Sequence, residues 1–124
     1  MTVRISLMVL RVTALMTLIV GIVFWVTDND SLVNYHMPLG IIVVLSLWVL
    51  AITAALGKGG NWGLAIGAIV LGLVVASLGM VQKNLLVGST HWIIQVIHLL
   101  LGLSAIALGE MIAGRYKRLN KAIA

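Results

Sequence analysis

Apolar residues along this chain gather into four long runs, at about 5–27, 36–56, 63–82 and 90–113, separated only by short polar stretches. Each run is close to the ~20 residues that carry an α-helix across a hydrocarbon core ~30 Å thick. The pattern predicts an all-α fold: one integral membrane four-helix bundle filling residues 1–124, with its spans running up-down-up-down. Hydrophobic residues make up 62% of the 124 positions and charged residues only 9%, which is too apolar for a water-soluble domain of this size. Any chemistry must then lie inside the bundle or at its two rims.

Small residues recur along the spans at helical spacing. Thr13, Thr17 and Gly21 share one side of the first span, and Ala68, Gly72, Ala76 and Gly79 share one side of the third. Stripes of this kind let neighbouring helices approach closely in lipid. The second span presents His36, Gly40, Val43 or Val44, Leu47 and Ala51 on one side. If Asp30 or Ser31 caps that helix, Pro38 falls inside it, which membrane helices tolerate. The first run resembles a signal peptide, but it is as long as a span and lacks a small-residue cleavage site, so it reads as retained.

The net charge of +5 changes the picture only through its placement. Arg4 and Arg11 open the first span, Lys58 lies in the middle link, and Arg115, Lys117, Arg118 and Lys121 follow the fourth, whereas Asp28 and Asp30 sit in the first link. By the positive-inside rule both termini are cytoplasmic, as in a multi-pass protein of a prokaryotic plasma membrane. Charge at span ends orients a membrane protein and gives no reason to expect a nucleic-acid partner. Without cysteine, disulfides, thiolate metal sites and thioether-linked haem are excluded.

The fourth span carries the most informative residues. His91, Gln95 and His98 share a face that continues as Gly102, Ala105 and Gly109, polar at its start and stripped of bulk beyond. Polar groups in hydrocarbon are costly unless partnered, so this face is expected to turn inward. His36 with Gly40 repeats His98 with Gly102, the two pairs lying 62 residues apart. A histidine with glycine one turn away suits a porphyrin, since the imidazole donates to iron and the glycine leaves room for the ring plane. The second and fourth helices lie diagonally in such a bundle, so His36 and His98 are the candidate axial ligands of one haem b, with His91 an interfacial group or alternative ligand. Gln95 is expected to bond another helix or to line the site. Lys83, beside Gln82 at the outer rim, is placed to meet haem propionates or simply the interface.

The segment Gln95-Val96-Ile97-His98-Leu99-Leu100-Leu101-Gly102 resembles the haem-ligating helix of the haem A synthases and, less closely, of other four-helix b-type cytochromes. In haem A synthases each half is a four-helix bundle with ligand histidines on its second and fourth helices, so the resemblance implies that His36 and His98 ligate a b-type haem. One bundle is present here instead of two, no arginine follows either histidine, and no carboxylate lies in the outer half of a span. The expectation is therefore a bis-histidine cytochrome for single-electron transfer or haem handling, with the bilayer and a redox protein or quinone as partners, and not a complete enzyme. Two rivals are a small multidrug-type transporter, with Glu110 as its carboxylate, and a noncatalytic anchor subunit of a respiratory complex.

Overall fold

The computed structural model describes residues 1–121 and is helical from end to end. Helix α1 spans Thr2–Thr27, α2 Val33–Leu56, α3 Trp62–Val81 and α4 His91–Lys121, with single 3-10 turns at Asp30–Leu32 and Gln82–Asn84. All four are long and apolar enough to cross a membrane. Their outward surfaces carry bare aliphatic side chains such as Met8, Leu15, Ile41, Leu45, Ile66 and Leu100. That is unfavourable in water and suited to lipid.

The helix boundaries follow local chemistry. Neither Asp30 nor Ser31 caps α2 as the sequence had suggested: its N-cap is Leu32, with no side-chain bond, and Asn29 caps the 3-10 turn before it, its side-chain oxygen accepting from the Ser31 amide. The backbone then passes from the 3-10 turn straight into α2, leaving Pro38 inside the helix as expected. Proline has no N–H, so the carbonyl of Asn34 one turn earlier loses its usual partner. Asn61 caps α3 through the Leu64 amide. The basic segment after residue 113 does not leave the helix, because α4 continues to Lys121.

Helices α2 and α4 each touch the other three, while α1 and α3 stay apart among the described residues. The packing is uneven along the bundle. The largest fully buried side chains are Leu10 on α1 and Leu47 and Leu50 on α2, and a Cβ on Gly109 of α4 would clash with Leu10 and touch the other two. Val3, Leu7, Ala14, Ala51, Ala55, Ala65, Ala68, Ala105, Ile112 and Ala113 complete this core, which reaches Val43 at the middle of α2. It draws on the first half of α1, the second half of α2, the first half of α3 and the second half of α4, and so occupies the end of the bundle that holds the N-terminus, the 57–61 link and the last turns of α4. Beyond it, among the described residues, the buried aliphatic side chains are Val44, at the middle of α2, and Ile94.

An ion pair ties α1 to α4 outside this core. Arg11 donates to both carboxylate oxygens of Glu110, with Nη2 to Oε2 at 2.8 Å. Arg11 is thus a clamp between helices as well as a basic residue near a span end. Such two-point pairs are the strong form of the arginine-carboxylate contact. Arg11→Ala leaves the Glu110 charge without its partner beside apolar helix surface. The expected result is a lower melting temperature in detergent, partly restored when Glu110→Ala is added; a single variant as stable as the wild type would contradict the clamp.

Candidate functional site

The half of the bundle without a core encloses a cavity of about 330 Å³. All four helices line it. Along α1 the lining runs from Ala14 to Trp25, eleven steps of about 1.5 Å, or roughly 16 Å of depth along the bundle. Its walls are overwhelmingly apolar, and the polar side chains reaching it are His36, His98, Thr17, Gln82 and Gln95.

The two histidines expected to form a pair do face each other. The imidazole rings of His36 and His98 have centroids 6.2 Å apart and planes inclined at 58°. Each ring keeps a buried Nδ1 with no hydrogen-bond partner. Buried polar nitrogens are normally satisfied, and each one left bare costs on the order of 1–3 kcal/mol. On His36 the unpartnered nitrogen lies on the side of the ring toward Gly21 of α1.

The glycines divide into two sets. A Cβ at Gly40 or Gly102, one turn beyond each histidine, would meet nothing within 4 Å, so both face the open cavity. A Cβ at Gly21 or Gly79 would instead run into an imidazole, 2.8 Å from His36 Cε1 and 3.1 Å from His98 Cε1 respectively. The stripes on α1 and α3 therefore do two jobs. Ala68 and Gly72 are buried in the packed half, whereas Gly21 and Gly79 admit side chains from α2 and α4.

Other expected site residues are placed differently. His91, the alternative ligand, starts α4, and its Nδ1 lies 3.0 Å from the Leu85 carbonyl, which ties it to the preceding link and away from His36. Gln95 lines the cavity, as does Gln82, whose Oε1 is buried without a partner. Lys83 does not reach the cavity wall. Its Nζ bonds Asp30 at 2.6 Å and sits 5.7 Å from the centre of the Phe24 ring, which does line the cavity. Glu110 lies outside the cavity, engaged by Arg11.

The donor set narrows the occupant. Among the described residues no group of three or more histidine, aspartate or glutamate side chains comes together to hold a bare metal ion. A free divalent cation needs three or four protein donors. Two opposed imidazoles are too few for that, and would instead suit a metal that arrives with most of its positions already filled by a ligand of its own. The chain matches no known protein family, no curated protein and no solved structure.

Proposed function

We propose that this chain is a membrane cytochrome that holds one haem b between His36 and His98 and serves single-electron transfer or haem handling. The observation that carries this reading is the opposed pair of unsatisfied imidazoles, 6.2 Å apart, at a cavity in the half of the bundle that lacks a core. The vacant space beside Gly40 and Gly102 supports it, since a flat macrocycle needs the helix surface next to each ligand to be bare.

Each part of the site has a role that follows from its chemistry. When bound, haem supplies reversible one-electron cycling of iron. His36 and His98 would hold its iron by one ring nitrogen each, and a metal held from both sides by the protein would suit electron transfer or haem storage better than oxygen chemistry. The apolar walls keep water from the metal and hold the ring by dispersion contacts. Gln82 and Gln95, which line the cavity, would offer polar contacts to the propionates.

In this reading the helices run up-down-up-down with both termini cytoplasmic, since the basic residues cluster at the packed end. The haem then lies toward the outer face of a prokaryotic plasma membrane. Exchange with a redox protein or quinone occurs at that side.

The test is the absorption spectrum of the full chain purified after expression with ample haem. A six-coordinate, low-spin b-type spectrum with about one haem per chain is expected. A colourless protein under those conditions overturns the proposal.

A further inference from the structure

The placement of His36 and His98 depends on two residues that make no bond to any ligand. Gly21 belongs to α1 and Gly79 to α3, yet each lies flush against the imidazole of the next helix in sequence. The contact is the same on both sides of the cavity: the Cε1 corner of the ring is the nearest atom to the position that a glycine Cβ would take. At Gly21 the Nδ1 of His36 follows at 3.1 Å, and Nε2 stands farther off at 3.8 Å. With no side chain at Gly21, the ring can lie against the α1 backbone.

We infer that Gly21 and Gly79 are positioning residues: each is the seat against which the neighbouring helix's histidine ring rests, and together they set the mutual rotation of the His36 and His98 planes. The inference rests on the haem reading above and adds to it. An imidazole on a helix can swing about two torsions, and the cavity side of each ring is open. The glycine behind the ring stops the swing. The tandem character of the chain thus extends beyond the His36/Gly40 and His98/Gly102 pairs: each helix pair supplies a ligand, a gap beside it and a seat behind it.

The consequence is spectroscopic. In low-spin ferric haem the largest g value reports the angle between the axial ligand planes, and planes rotated well away from parallel give a large one. The 58° inclination of the two rings is the starting angle against which the variants are read. Gly21→Ala puts a Cβ where His36 Cε1 now lies too close to be tolerated, so the ring must turn; Gly79→Ala, with its looser 3.1 Å approach, turns His98 by less. Gly67→Ala is the control, because a Cβ there meets nothing within 4 Å.

The experiment uses the full chain in detergent micelles. In the haem-loaded protein the largest g value and the midpoint potential are expected to shift in Gly21→Ala, to shift less in Gly79→Ala and to stay put in Gly67→Ala. Gly21→Ala and Gly79→Ala variants that keep wild-type values of both overturn the inference, while a wild type that takes up no haem overturns the haem reading instead. If Gly21→Ala loses haem outright, free imidazole supplied to Gly21→Ala combined with His36→Gly restores the low-spin spectrum, since an untethered ring finds its own angle; no restoration counts against a seat. The apoprotein gives an independent readout: nuclear Overhauser contacts are expected from the His36 Cε1 proton to the Gly21 α-protons and from His98 to Gly79. Their absence overturns the inference whatever the haem does.

Discussion

Alanine in place of His36 or His98 is expected to abolish the six-coordinate low-spin spectrum, each substitution alone being sufficient. Both rings project into the same cavity and neither has a substitute nearby. The third histidine, His91, is engaged with the Leu85 carbonyl at the end of the link before α4. Losing only an outer partner of a metal ligand typically costs 10–100-fold in affinity, so losing the ligand itself should cost more than roughly a hundredfold. His91→Ala should keep both the spectrum and the haem content. The comparison is made by haem titration of the three variants, with helical content checked by circular dichroism. A His98→Ala protein that stays low-spin while His91→Ala loses its haem would reverse the assignment of the second ligand.

Leucine at Gly102 or Gly40 is expected to separate folding from haem uptake. Both positions face space in which a Cβ meets nothing within 4 Å, so the larger side chain enters the cavity without displacing a neighbour. Inside a helix the exchange also relieves the backbone penalty of glycine, worth roughly 0.5–1 kcal/mol. The variant should therefore melt at or above the temperature of the wild-type apoprotein while its haem content falls to background. Gly102→Leu combined with Gly40→Leu should remain folded and colourless. A Gly102→Leu protein with a full complement of haem would show that the cavity beside that glycine is not where the porphyrin plane lies.

The spans were legible because the signal is long and summed: some twenty apolar residues in a row need no tertiary information. The inward faces were legible for the same reason, their period being fixed by the helix. His36, Gly40, Val43 and Leu47 fall on one side of α2 however that helix is packed. What periodicity could not decide was the choice between His91 and His98. They are seven residues apart, two turns along one face, and only the path of the 85–90 link shows that His91 is drawn back to it. The Arg11–Glu110 and Lys83–Asp30 pairs were hidden too, since they join residues 99 and 53 positions apart and depend on how each helix is rotated about its axis. Gly21 and Gly79 stood out as small residues, but a stripe of small residues does not say which side chain will lie on it.

The uneven packing carries a consequence for how such a protein matures. Leu10, Leu47 and Leu50 lock one end of the bundle with side chains encoded in the chain itself, so the helices can find their neighbours before any prosthetic group arrives. If the opposite end takes up haem as proposed, the group would enter late, after the polypeptide is already in the bilayer, and its departure need not undo the stitching below.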